Sequence, residues 1–378
     1  MNYCRFCGSE LTHVFCDLGF QPPSNSLLTN LEEPETYYPL KVYVCTSCWL
    51  VQLPEVKEAG EIFTDDYPYY SSQSPSNVSH AKEYVEMMCD RFGYGEGSQI
   101  LEIGSNDGYM LQHFIDKGCS VQGVDPARGP ADEAILKGIP TVKVFFQKKR
   151  IDNFYPADLI CSINTIAHQP DINDFVAAMK MCLKPKGVIT AEFPHLMRLV
   201  EGNQFDTIYH EHFSYFSLTT LERIFSGHNS DIFDVDEIPE HGGSLRIYAR
   251  HKGRITDDLR VIDLMARERK AGMSNVGYYE GFQKRVEDIR RDLMRVLMDS
   301  LWIGHVNAAY GAAAKGSTLL NYCGIRSDLV PVVADRSPHK IGKFLPGSHI
   351  RIMDPRMISE RRPDRVLILP WNLKDEIM

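Results

Sequence analysis

Three things are scarce in this sequence, and each scarcity removes a class of function. Long apolar runs are missing: no stretch approaches the roughly 18 residues that cross a bilayer, so no membrane partner is expected. The chain opens on Met-Asn-Tyr-Cys rather than on a basic segment feeding an apolar one, and a cytoplasmic location is the expectation. Positive charge is short, with 41 Lys and Arg against 50 Asp and Glu and a net charge of −9. With no basic block among them, nucleic acid is excluded as the main partner, although a few cations focused in one cleft can still hold a small anion. Cysteine is sparse, ten in 378 residues, which rules out a disulfide-dense secreted scaffold. No repeat or low-complexity tract is visible. What remains is ample core material, 43% hydrophobic and 10% aromatic, enough for two or three domains and against long disorder.

The placement of the cysteines is more telling than their number. Cys89, Cys119, Cys161, Cys182 and Cys323 stand alone among small or apolar residues and read as compact core fillers. Cys4 and Cys7 form one C-x-x-C pair, and Cys45 and Cys48 form another. Two such turns aim four thiolates at one point, the closed tetrahedral shell of a structural zinc with no open position for catalysis. Cys16 and His13 lie between the pairs and are possible substitutes. A segment this short cannot bury enough surface to fold alone, so zinc should stabilise residues 1 to about 65.

Residues 17–40 read as a loop between the knuckles, and 65–76 as a hydroxyl-rich linker. Helical spacing from Ser79 to Phe92 is followed by short apolar runs at Gln99–Ile103, Val121–Val124, Asp158–Ile163 and Gly187–Glu192, with helices between them. That alternation predicts a doubly wound α/β sheet. Ile232–Ile238 and Leu245–Ala249 read as a hairpin closing its edge, residues 257–275 as a charged, partly helical segment, and Asn275–Leu301 as a helix. Beyond a boundary near 253, runs at Val306–Tyr310, Leu329–Ala334 and Val366–Leu369 predict a second, smaller α/β unit.

Chemistry concentrates in two places. The first strand ends in Glu102-Ile-Gly104-Ser-Asn106-Asp107-Gly108, where the glycines permit a tight turn and close approach of a ligand. Asp125, at the end of the next strand, can accept both hydroxyls of a ribose. Glu102 and Asp107 would repel a pyrophosphate but suit an ammonium and a sulfonium, which favours S-adenosylmethionine (SAM) over NAD. The second place is Asp206-Thr-Ile-Tyr209-His210-Glu211-His212-Phe-Ser-Tyr215, together with His168 after a strand end. A neutral imidazole there can act as a base, and Glu211 is the expected orienter of His212 or His210. A second metal site on the H-x-H lacks a third ligand at regular spacing.

Taken together, these motifs resemble the SAM-dependent sugar C-methyltransferases, which methylate C-3 of a nucleotide-linked 4-keto-6-deoxy sugar. The likeness also rests on Tyr67-Pro-Tyr69-Tyr-Ser-Ser, Asn164–His168, His241-Gly242-Gly243, Tyr310-Gly-Ala-Ala-Ala-Lys315-Gly and Leu369-Pro-Trp371-Asn372. It implies a zinc-binding domain at 1–70, a class I methyltransferase domain with a Rossmann-like sheet at 71–252, and a C-terminal α/β domain at 253–378 that helps hold the sugar nucleotide. Residue by residue, it implies His212 as base, with Glu211, Tyr209, His168 and one of Tyr67 and Tyr69 around the sugar. Tyr209 or His168 would bind the keto oxygen. SAM falls to Glu102, Gly104, Asn106, Gly108, Asp125 and Asn164, and the substrate to Gly242, Gly243 and Lys315. Lys340 and Lys343 are further candidates for the diphosphate of a dTDP or GDP sugar. A cleft made within one chain is compatible with a monomer. Two rivals are an NAD-dependent nucleotide-sugar oxidoreductase and a non-catalytic zinc-ribbon binding protein.

Overall fold

The computed structural model describes residues 2–63, 67–253 and 259–378. Residues 65 and 66 of the hydroxyl-rich stretch, the residues just past the boundary near 253, and the start of the charged segment at 257 lie outside the described residues. The N-terminal unit is an antiparallel sheet of β1 (His13–Gln21), β2 (Tyr38–Val44) and β3 (Val51–Gln52), and a fourth strand, Ser214–Tyr215, joins it from far along the chain. The loop expected over 17–40 is therefore shorter, because Asp17–Gln21 and Tyr38–Leu40 are strand. Leu40, Val42 and Val44 alternate inward along β2, a period-2 signal masked by the Pro and Asn around it. Cys16 points into that core beside Leu40 and Val42, and neither it nor His13 joins the cysteine cluster.

The central sheet holds β4 (Gln99–Ile103), β5 (Ser120–Val124), β6 (Thr141–Val142), β7 (Ala157–Ile163) and β8 (Leu183–Pro194). The Ser214–Tyr215 strand is β9, and β10 (Ser230–Ile238) and β11 (Ser244–His251) complete the set. The order is β6-β5-β4-β7-β8-β11-β10, parallel through β8 and then antiparallel, so the expected hairpin does close one edge. Helices cover both faces, which explains the unbroken apolar runs of β4 and β7. Helix Pro75–Phe92 packs on one face; it starts at Ser74, whose hydroxyl accepts the Asn77 N–H at 3.4 Å, with Pro75 at the first helical position. Helices Ile172–Cys182 and Leu218–Gly227 pack on the other.

The long C-terminal helix runs Phe282–Trp302, not from Asn275, because Gly281 sits at φ 78 and breaks it from a 3-10 turn at Val276–Tyr278. Phe282 and Val286 enter the core of the N-terminal sheet, so the first and last units share a core with Leu199 and Phe205 of the middle one. The last sheet holds β12 (Asn307–Tyr310), β13 (Val332–Ala334), β14 (Arg351–Met353) and β15 (Arg365–Ile368). It is wholly parallel, in the order β14-β13-β12-β15. β14 escapes sequence reading: three residues starting on an exposed Arg351 carry no period.

Candidate active site and metal centre

The two C-x-x-C turns meet. Cys4 and Cys48 Sγ lie 3.5 Å apart, Cys7 and Cys45 Sγ 3.6 Å, and all four within 4.8 Å of one another. Thiolates on zinc at about 2.3 Å form a tetrahedron with edges of about 3.8 Å, so the donor set fits a structural zinc. Gln52 Nε2 donates to Cys4 Sγ at 3.1 Å and supports that ligand from outside the shell. Beside it, the Arg5 guanidinium donates to the carbonyls of Leu53 and Pro170, and Asn173 Nδ2 to those of Arg5 and Phe6. The first knuckle is thus tied to the loop that carries His168.

The cofactor loop follows β4. A Cβ on Gly104 would stand 2.2 Å from Thr165 Oγ1, and one on Gly108 2.3 Å from Ile139 Cδ1. Packing against Thr165 and Ile139 is by itself a reason for glycine at both positions. Asp125 accepts the Asn106 N–H on Oδ2 and the Ala127 N–H on Oδ1, each at 2.9 Å, and burial pushes its carboxyl up to about 6. Each oxygen keeps a lone pair for a hydroxyl. The Asn106 side chain is already engaged, accepting the Ser71 N–H and donating to the Tyr69 carbonyl, so it pins residues 69–71 to the loop. Glu102 is fully buried with neither carboxyl oxygen partnered, and its pKa is raised well above the carboxylate range by burial and by Asp125 and Asp107. Asp107 Oδ1 and Asn164 Oδ1 are likewise unpartnered, while Asn164 Nδ2 lies 2.9 Å from His241 Nε2. Orphaned acceptors at the ends of two parallel strands fit a ligand with hydroxyl and ammonium donors and a sulfonium charge, as SAM has. Asp125→Ala should therefore weaken SAM binding about tenfold or more in a calorimetric titration.

The second group of candidate residues surrounds His212. His212 Nδ1–H donates to the Thr207 carbonyl at 2.9 Å, which fixes the tautomer and leaves Nε2 as an acceptor, filled by the Tyr209 hydroxyl at 2.9 Å. The His168 ring lies 4.9 Å away, edge to face. Burial pushes His212 well below its ordinary 6.5 and His168 down to about 4, so both stay neutral, while it raises the Tyr209 phenol, which stays protonated. Glu211 orients neither histidine. Its Oε1 accepts from Asn25 Nδ2 at 2.6 Å and its Oε2 from the Tyr67 hydroxyl at 2.8 Å, because its position in the turn directs it to the N-terminal unit. Tyr67 therefore joins the cluster. The Tyr69 hydroxyl instead accepts from Asn77 at 3.0 Å. His210 turns its ring to Tyr38 instead, 6.0 Å away, behind the site. Asn25 was invisible in the sequence, one polar residue in an aperiodic loop.

The C-terminal unit closes the cleft. Lys315 Nζ donates to Asn372 Oδ1 at 2.7 Å and lies 4.9 Å over the Trp371 ring, whose Nε1 donates to Asp206 Oδ2 at 2.7 Å. Burial lowers the Lys315 pKa. Gly242 lines this wall, since a Cβ there would strike Trp371 at 2.3 Å. Gly243, directly before β11, is pressed against Arg198, where a Cβ would stand 2.8 Å from Cγ. Lys340 donates to the Ala312 carbonyl at 2.9 Å and belongs to the cleft, whereas Lys343 lies near Glu33. Thr318 Oγ1 donates to the Ile208 carbonyl and Ser317 Oγ to that of Ser24, so all three units meet beside His212.

Comparison with known proteins places the chain in a family. Residues 4–63 match a putative zinc-binding domain, 79–234 a methyltransferase domain and 239–378 a C-methyltransferase C-terminal domain. The C-methyltransferase NovU of Streptomyces niveus is 34% identical over 389 aligned residues, covering 100% of this chain and 91% of that protein. A ubiquinone biosynthesis O-methyltransferase of Colwellia psychrerythraea is 23% identical over 135 residues, 33% of this chain and 55% of that protein. Among solved structures, the magnesium protoporphyrin IX methyltransferase of Synechocystis with bound SAH covers 46% of this chain and 83% of its own, at 11% identity and a TM-score of 0.39. Among the described residues no helix is long and apolar enough to cross a membrane. With a cysteine cluster fit for zinc, a SAM-type loop and a full-length relative in agreement, the chain belongs to the nucleotide-sugar C-methyltransferase family and is a SAM-dependent C-methyltransferase.

Proposed function

We propose that this chain transfers a methyl group to C-3 of a nucleotide-linked 4-keto-6-deoxy sugar, carried on dTDP or GDP, in the cytoplasm and in the synthesis of branched deoxysugars. The observation that carries the reading is the unprotonated Nε2 of His212, buried in the cleft with a phenol on it and a second neutral imidazole beside it. A hydrogen on the carbon next to a ketone is acidic enough for such a base if the developing enolate oxygen is stabilised. His212 Nε2 takes the C-3 proton, and the Tyr209 hydroxyl swings from Nε2 to the 4-keto oxygen and donates to it. His168, kept neutral by burial, packs against the base, and Tyr67 with Glu211 bounds the sugar pocket. Glu102 and Asp125 would hold SAM, which would supply the methyl on a positively charged sulfur and leave as the neutral thioether S-adenosylhomocysteine. Lys315 and Lys340 offer the cations for the diphosphate. We divide the chain at 1–70, 71–252 and 253–378, since β11 completes the central sheet. The cleft is built within one chain, which supports a monomer as the working unit.

The direct test incubates the protein with SAM and a panel of nucleotide-linked keto-deoxysugars and follows mass. A gain of one methyl in place of a hydrogen, located at C-3, is expected; methylation at oxygen would defeat the reading. The pH profile gives a second test. His212 works as the neutral form and burial lowers its pKa, so activity is retained above the folded value and lost as pH falls through it. The acid limb of kcat/KM should lie below pH 6.5.

A further inference from the structure

His241 has no part in the reaction proposed above, yet its neighbours hold it in an unusual conformation. It stands at φ 55 and ψ 18, in the left-handed region that a histidine enters only when its surroundings impose it. The turn around it is held at three points. Gly243 N–H donates to the Glu240 carbonyl at 3.0 Å, His195 N–H to the Gly243 carbonyl at 3.1 Å, and Gln204 Nε2 to the Gly242 carbonyl at 2.8 Å.

This turn delivers His241 Nε2 to a point 2.9 Å from Asn164 Nδ2. An amide nitrogen can only donate, so the imidazole nitrogen accepts and the ring carries its proton on Nδ1. Burial, with the Lys315 cation nearby, lowers the His241 pKa to about 4, which keeps that lone pair free. Holding the amide by its nitrogen also fixes its oxygen, and Asn164 Oδ1 is the buried atom that has no partner within the protein. The contacts close a circuit. Asn164 N–H donates to the Glu192 carbonyl at 2.9 Å, Glu192 Oε2 meets His80 Nε2 at 2.7 Å, and His80 Nδ1 meets Glu240 Oε1 at 3.0 Å. Glu240 is the residue before His241. Both His80 nitrogens face carboxylate oxygens, and against the cost of burial Glu192 and Glu240 raise its pKa to about 10, so it bridges them as an imidazolium. Arg246 Nε donates to the other Glu192 oxygen at 2.6 Å. Asn164 is thus gripped by its backbone at one end of the circuit and by its side chain at the other.

The strand order gives the orphaned oxygen its partner. Asp125 follows β5 and offers its carboxylate to the hydroxyls of the donor's pentose, while Asn164 follows β7, on the far side of β4. An extended donor laid across these strand ends brings its amino-acid end to Asn164. We infer that His241 is a positioning residue for the methyl donor: through Nε2 it sets which way the Asn164 amide faces and presents Oδ1 to the donor's ammonium. The inference rests on the assignment of Asn164 to the cofactor site. Without the imidazole the amide is free to turn its nitrogen inward, a donor set against a donor.

The test is calorimetric titration of the full-length protein with S-adenosylhomocysteine and with 5′-methylthioadenosine, which keeps the adenosine and the thioether but has no ammonium or carboxylate. Asn164→Ala should weaken S-adenosylhomocysteine about tenfold, the scale of a hydrogen bond to a charged group, and methylthioadenosine by less than about twofold. His241→Gly suits the left-handed backbone and removes only the ring. It should weaken S-adenosylhomocysteine about fivefold and methylthioadenosine by less than about twofold, and it should melt as wild type does. His241→Asn, which also tolerates that backbone and is too short to keep the contact, should give the same pair of results. The double variant Asn164→Ala with His241→Gly separates positioning from support of the fold. If His241 acts through Asn164, the double variant loses no more than Asn164→Ala alone, whereas a residue that only supports the fold adds its own loss. Additive losses, wild-type affinity for S-adenosylhomocysteine in His241→Gly, or equal weakening of both ligands overturns the inference. If Asn164→Ala itself binds S-adenosylhomocysteine as wild type does, the place of Asn164 in the cofactor site falls and this inference with it.

Discussion

Replacing His212 by asparagine is expected to lower kcat by about a thousandfold, within the range of about 10²–10⁴ that a positioned base contributes. The variant is chosen for its geometry. An asparagine amide can keep the donor that Nδ1–H offers to the Thr207 carbonyl, while nothing replaces Nε2. SAM binding, which depends on the other side of the cleft, should be near normal by titration. A variant that still methylates within about tenfold of the parent would remove His212 from the role of base. Glu211→Gln should behave differently: its partners are Asn25 and Tyr67, so its effect should fall on substrate KM more than on the acid limb set by the imidazole.

Removal of the metal should be nearly as damaging, although the zinc touches no reacting atom. Structural zinc contributes apparent binding energies of about 10–16 kcal/mol to small domains, more than a typical domain's whole stability. The damage has a route inward. Arg5, between two ligands, holds the carbonyls of Leu53 and Pro170. Leu53 N–H donates to the Phe213 carbonyl, Phe213 N–H donates to that of Ala167, and β3 pairs with β9 directly after. Phe213 follows His212 and Ala167 precedes His168, so the knuckle fixes both imidazoles through three backbone links. We expect one zinc per chain by elemental analysis. Chelation or Cys45→Ser should lower the melting temperature, abolish turnover and loosen amide protection across residues 208–216, and zinc should restore the chelated protein. Full activity in metal-free protein would show that the cluster is a dispensable ornament.

Much of this was legible in the sequence wherever a local pattern answered to local physics. The C-x-x-C pairs, the apolar runs of the central strands and the crowded decapeptide each carry their meaning within ten residues. Long-range partners were not legible. Glu211 looked like the companion of its neighbouring histidines, but a turn directs it to Asn25 and Tyr67, 186 and 144 residues away. The different partners of Tyr67 and Tyr69 follow from Asn106 pinning residues 69–71 to the cofactor loop, a contact across 35 residues. Thr165 and Ile139 crowd Gly104 and Gly108 from later in the chain, which no local pattern records.

The placement of β11 bears on how such enzymes can be recombined. It lies between β8 and β10, bonded to both, although it follows the hairpin turn where the C-terminal family match begins. A chimera that borrowed the C-terminal unit of a relative with its crossover at Pro239 would import a stranger's strand into the middle of the host sheet. Moving the splice past His251 would leave that sheet native and exchange only the C-terminal α/β unit.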